Sequence, residues 1–176
     1  MNAQSEKFLK QLLKAISPSG YEGEAANLWG GEAAKFAKVK RDTHGNTHAV
    51  VKGAGKTKSN PVVMLAGHID EIGFLITHID DNGYLYIRPV GGWDPQIVQG
   101  QRVRILGKRG RVLGAIGKIP IHLQKPEARS KVVGIDDVWV DIGVSSRKNA
   151  EKRVSIGDPL VLDYEYERLH DDLAVA

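Results

Sequence analysis

An α/β domain carrying an inserted, all-β, barrel-like domain is the fold class this sequence predicts. Three observations predict it. Apolar residues near the start recur at helical spacing. A continuous apolar run then spans Pro61 to Ala66. From Gly73 onward the pattern changes to short alternating segments separated by turn residues.

The elements follow in order. Phe8, Leu9, Leu12, Leu13 and Ile16 lie on one helical face, and Ser17-Pro18-Ser19-Gly20 stops that helix. A second amphipathic helix is expected over Glu22–Ala37 through Ala25, Leu28, Trp29, Ala33 and Phe36, with Gly30-Gly31 weakening its middle. Val39–Lys52 reads as a hairpin turning near His44-Gly45-Asn46. The run Pro61–Ala66 fits a strand buried on both faces, as in a parallel or mixed sheet. Six short strands follow at Phe74–Ile79, Tyr84–Val90, Arg102–Leu106, Arg111–Ile119, Val138–Ile142 and Leu160–Tyr166. Asp81-Asn82-Gly83 marks a tight hairpin turn, because Asn and Gly tolerate positive φ. Six strands without a helix of their own predict a closed or nearly closed barrel. The loop from Pro120 to Asp137 is long and charged, and is expected to be disordered or to cover a partner.

Composition narrows the classes of function. With 41% hydrophobic and 26% charged residues in 176, a folded soluble protein is expected. The sequence has no cysteine, which excludes disulfides, cysteine-ligated zinc and thiol catalysis and suits a reducing cytoplasm. No run approaches the ~18 apolar residues of a membrane span, and the start carries no signal-peptide core. The net charge is only +4. Arg147, Lys148, Lys152 and Arg153 cluster without interleaved aromatics, so a solvated face is expected rather than nucleic-acid binding.

The chemistry concentrates in VVMLAGHIDEIGFLI, residues 62–76. His68 would sit at the carboxyl end of the expected strand, where open α/β sheets place ligands. Asp70, two residues on, would face the same side. It could accept a hydrogen bond from the far ring nitrogen of a metal-bound histidine, fixing the tautomer. Gly67 would allow a close backbone approach there. H-x-D alone also reads as a core histidine followed by solvated acids.

The wording VVMLAGHIDEIGFLITHIDDNGYLYIRPVGGWDP resembles a family of cocatalytic metallo-aminopeptidases, the tetrahedral (TET) and glutamyl aminopeptidases, some of them labelled endoglucanases. SPSGYEGEA, DTHGN, GKIPIHL, VWVDIG and VSIGDPLV agree with it in order along nearly the whole chain. The resemblance implies a hydrolase that removes N-terminal residues from short peptides in the cytoplasm through a water activated by two divalent ions, zinc or cobalt. It implies that His68 is a metal ligand and Asp70 the catalytic-site acid that orients it. It divides the chain into residues 1–72, the first part of the catalytic α/β domain, 73–163, an inserted barrel through which copies dimerise and assemble into dodecamers, and 164–176, a return segment. The family's bridging aspartate, its Glu-Glu pair and its later ligands are expected beyond Ala176. Asp171 and Asp172 are not expected to replace them. The chain alone would then supply at most one metal ligand and be inactive. A non-catalytic, self-associating subunit is the alternative.

Other candidates have plainer readings. Asp42, His44 and His48 could be taken as ligands, but they straddle a hairpin turn and are expected to be structural. His78 is expected on a strand surface. His122 lies in the long loop, facing solvent or a neighbouring subunit, and His170 lies near the end with no role assigned. Trp93, in GGWDPQ, is expected to anchor a core or an interface. GKRGRVLGAIGK lacks the spacing of a phosphate-binding loop.

Overall fold

The structure is a computed structural model that describes residues 1–55, 61–170 and 173–176; Asp171 and Asp172 lie outside the described residues. Helix α1 spans Ala3–Leu13, capped by the Asn2 side chain, which accepts from Ser5 N at 2.8 Å. Helix α2 spans Gly23–Ala33 and buries Ala25, Ala26 and Ala33. It stops short of the expected Ala37, and Phe36 is left 69% exposed. Gly30 faces the hairpin of β1 (Lys38–Arg41) and β2 (Thr47–Val50), where an added Cβ would lie 3.5 Å from the Thr47 methyl. The glycine therefore marks where helix and hairpin meet. Asp42 closes the hairpin turn by accepting from the backbone N–H of His44 and Asn46, each at 2.9 Å. These bonds account for the D-x-H spacing as turn structure.

The six expected barrel strands are present: β3 (Gly73–Ile79), β4 (Leu85–Val90), β5 (Arg102–Gly107), β6 (Gly110–Gly117), β7 (Trp139–Asp141) and β8 (Pro159–Leu162). They close in the order β3-β4-β7-β6-β5-β8, every neighbouring pair antiparallel. Two short helices interrupt them, α3 (Pro95–Val98) and α4 (Arg147–Glu151). The interior is filled by Phe74, Ile76, Leu85, Ile87, Val103, Ile105, Ile116, Val140, Leu160 and Leu162. Alternation along β3 breaks at a bulge between Ile76 and His78, which returns Ile79 to the core and leaves His78 outside against the Tyr86 ring. The β3–β4 turn is held by Asp80, whose carboxylate accepts from Asn82 N and Tyr84 N, and by Gly83 at φ +92°. Trp93 stacks on Phe74 with ring centroids 4.7 Å apart and donates Nε1–H to Gly73 O at 2.9 Å; it is a core anchor. The long loop folds as three 3₁₀ turns, and Val133 and Ile135 pack against the barrel.

One expected element is corrected. Residues 61–69 form neither helix nor strand, and Val62, Val63, Met64 and Leu65 are 79–95% exposed. An apolar run makes a strand only where a neighbour satisfies its backbone groups, and none of the described strands pairs with it. Gly67 likewise has nothing within 4 Å of an added Cβ, so no close approach uses it here.

The helical part meets the barrel through polar groups. Arg104 on β5 is 6% exposed, and its Nη1 donates to Lys14 O at 2.9 Å at the C-terminal end of α1, where a cation complements the helix dipole. Its Nε lies 3.1 Å from Asp163 Oδ1, an ion contact without hydrogen-bond alignment. Arg111 on β6 pairs with Glu24 of α2. Residues 165–168 then run beside α1 through Glu165–Lys14, Arg168–Glu6 and the Lys10 ammonium over the Tyr166 ring.

Candidate functional site

Where the 61–69 stretch reaches the barrel it is fastened to the turn after α1. Glu71 N donates to Ser17 O at 2.9 Å, and Pro18 and Glu71 form a parallel bridge. Ser17 N and Oγ each donate to Glu71 Oε1 at 3.2 Å. Ser19 Oγ donates to Asp70 Oδ2. Gly73 packs beneath, close enough to Pro18 that no side chain fits.

His68 sits at the tip, its side chain 86% exposed, so it is not a core histidine. Its Nδ1 lies 3.0 Å from the Asp70 carbonyl oxygen and 3.2 Å from Asp70 Oδ1. The carbonyl can only accept, so this geometry assigns the proton of the neutral ring to Nδ1 and leaves the Nε2 lone pair open. The Ser19 hydrogen bond holds the Asp70 carboxyl below the ordinary aspartate range, and His68 adds in the same direction. Glu71 differs. Burial pushes its carboxyl up, against the Ser17 hydrogen bonds and the Arg104 charge that pull it down.

The donor set is small. Among the described residues no group of three or more His, Cys, Asp or Glu side chains is placed to hold a metal ion. His68 offers one imidazole nitrogen, Asp70 is engaged by Ser19 and by His68, and a divalent zinc-type site takes about three protein ligands. The residues present therefore do not fit a resident divalent ion by themselves. His44, His48, His78 and His122 lie in other elements, at the β1–β2 hairpin, on β3 and in the long loop. Ser17 and Ser19 contribute contacts that sequence reasoning missed, because Ser17-Pro18-Ser19-Gly20 read only as a helix stop and as part of the family resemblance, with nothing to pair it with residues 70 and 71.

The model of the M42 glutamyl aminopeptidase family matches residues 45–176, and the chain belongs to that family. It is 35% identical over 150 residues to the lysyl aminopeptidase of Pyrococcus furiosus, covering 83% of this chain and 42% of that protein. The TET aminopeptidase of the marine sediment archaeon Thaumarchaeota archaeon SCGC AB-539-E09 superposes over 95% of this chain and 47% of its own, with TM-score 0.87 and 34% identity. The TET1 peptidase of Pyrococcus horikoshii, which assembles into a tetrahedron or a large octahedral shell, superposes over 92% of this chain and 47% of its own, with TM-score 0.79 and 31% identity. The chain thus spans less than half the length of these relatives. Among the described residues no helix is long and apolar enough to cross a membrane.

Proposed function

We propose that residues 1–176 carry one part of a metal-dependent aminopeptidase that hydrolyses N-terminal residues from short peptides. Family membership supports the reaction class. One observation supports the role of this part: His68 presents an open Nε2 while Asp70 takes its Nδ1–H. In this reading His68 is a ligand to one of two divalent ions, zinc or cobalt, and Asp70 orients it. The remaining ligands and the general base are assigned to the portion of the relatives' length that has no counterpart in residues 1–176. No step of hydrolysis is assigned to these residues alone, because one imidazole does not hold the ion. The barrel, residues 73–163, is proposed as an inserted unit through which copies associate; the assembly of the P. horikoshii TET1 peptidase supports this. A cytoplasmic location is proposed from the cysteine-free sequence. A purely self-associating subunit is the second reading, favoured by the exposed apolar side chains of residues 62–65.

The 176-residue chain is expected to show no turnover of lysyl, glutamyl or leucyl chromogenic substrates with added zinc or cobalt. Turnover that His68→Ala abolishes would refute the partial-centre reading. In a chimaera in which this chain replaces the matching portion of the P. furiosus lysyl aminopeptidase, activity is expected. There His68→Ala should abolish it, and Asp70→Ala should lower it about 10- to 100-fold. An active chimaera indifferent to His68→Ala would remove His68 from the centre.

A further inference from the structure

The His68 stretch is exposed and without secondary structure up to residue 69, yet residues 70 and 71 are fastened at several points to three consecutive residues, Ser17, Pro18 and Ser19. Ser17 and Pro18 are buried, so the backbone that carries Ser19 is set by packing rather than by solvent. A carboxylate on such a stretch would otherwise turn freely about its last torsion, which is broad and roughly two-fold. With Ser19 Oγ donating to Oδ2, the remaining oxygen, Oδ1, lies toward His68 Nδ1.

We propose that Ser19 is a positioning residue of the His68 centre: by donating to Asp70 it aims the carboxylate at His68 Nδ1 and holds the imidazole as the Nδ1–H tautomer, with Nε2 free to bind. Free histidine in water favours the other tautomer, so the preference has to be imposed by acceptors at Nδ1. The Asp70 carbonyl, 3.0 Å away, supplies one of them, and its position depends on the same fastening of residue 70. The value of the device rests on the ligand role proposed for His68. The device itself requires neither metal nor substrate, so its failure and the failure of the aminopeptidase reading are separate results.

The test is the tautomer ratio of His68 in the metal-free 176-residue chain. It is read from long-range ¹H–¹⁵N correlations of the imidazole at a pH where histidine is neutral, and assigned with His68→Gln. The native chain should show mainly Nδ1–H. Ser19→Ala should lower the ratio of Nδ1–H to Nε2–H about three- to fivefold, the scale of one solvated hydrogen bond. Ser19→Thr, which keeps the hydroxyl, should retain the native ratio. In an Asp70→Asn background Ser19→Ala should change nothing further, since Ser19 acts through that carboxylate. The proposal is overturned by a native chain with mainly Nε2–H, by a ratio unmoved by Ser19→Ala with the barrel amide spectrum intact, or by a full Ser19→Ala effect in the Asp70→Asn background. Loss of the native ratio in Ser19→Thr as well as Ser19→Ala would show that the hydroxyl is not what matters, and would also overturn it.

Discussion

Gly73→Ala puts a methyl group where the site is joined to the barrel. Gly73 does not adopt the left-handed backbone conformation, so alanine is allowed there. By restricting the unfolded chain it should contribute about 0.4–1 kcal/mol of stability. Space decides otherwise. The new Cβ would lie 2.8 Å from Leu160 O, 2.8 Å from Pro18 Cβ and 3.3 Å from Pro18 Cγ. Ordinary carbon contacts are about 3.5–4.0 Å. Neither neighbour is the loose end of a side chain. Leu160 belongs to β8 and pairs with Phe74 inside the closed barrel, and Pro18 is buried. Overpacking of this kind costs about 1–3 kcal/mol, which outweighs the gain at mid-range and leaves a net loss of roughly 1.3 kcal/mol, at most about 2.6 kcal/mol. Urea unfolding followed by tryptophan fluorescence should show a midpoint lower by roughly 0.7 M, at most about 1.3 M, for a slope near 2 kcal/mol/M. Gly31→Ala is the control: an exposed position within α2, with nothing within 4 Å of the added Cβ. It should raise the midpoint, since alanine exceeds glycine by about 1 kcal/mol in a helix interior. If both variants moved the midpoint upward, the contact between Pro18 and the start of β3 would not be tight, and the fastening of the site would lose its basis.

Phe74→Ala should be the costlier core change, about 3–5 kcal/mol, because Phe74 is fully buried and stacked on Trp93; a loss under ~1 kcal/mol in the same assay would mean the barrel interior is not filled as described. Glu71→Gln should raise the midpoint at pH 7 and do so less at pH 4. The raised carboxyl of Glu71 favours the fold below the ordinary glutamate range and loses that contribution as pH rises through its folded value, while glutamine still accepts from Ser17. Equal shifts at both pH values would contradict the burial effect. Replacing Val62, Val63, Met64 and Leu65 by Thr, Thr, Gln and Gln should lower self-association in light scattering at tens of micromolar. These side chains are exposed together and would add to association through the barrel; unchanged mass would leave the barrel as the sole association surface.

The barrel was legible in the sequence because its signals are local. Short apolar or alternating runs bounded by turn residues carry the strands, and an Asp-Asn-Gly turn closes the first barrel hairpin through Asp80 and Gly83. The short helices Pro95–Val98 and Arg147–Glu151 were not legible; four and five residues are too few to show a period. His68 and Asp70 could be singled out by residue type and two-residue spacing alone. The run Val62–Ala66 could not be judged the same way. Its composition suits a buried strand, but burial belongs to the pairing of two segments, and none of the described strands lies beside it. The orientation of Asp70 was out of reach for the same reason. It depends on Ser19, 51 residues earlier, and Ser17 reaches Glu71 across 54. Sequence determined the barrel strands and the turns, and it singled out His68 and Asp70 as candidates, because each of these readings rests on neighbours along the chain. Tertiary structure alone decided that the apolar run stays uncovered, which hydroxyl faces Asp70 and which nitrogen of His68 is left open, because those depend on segments that meet only after folding.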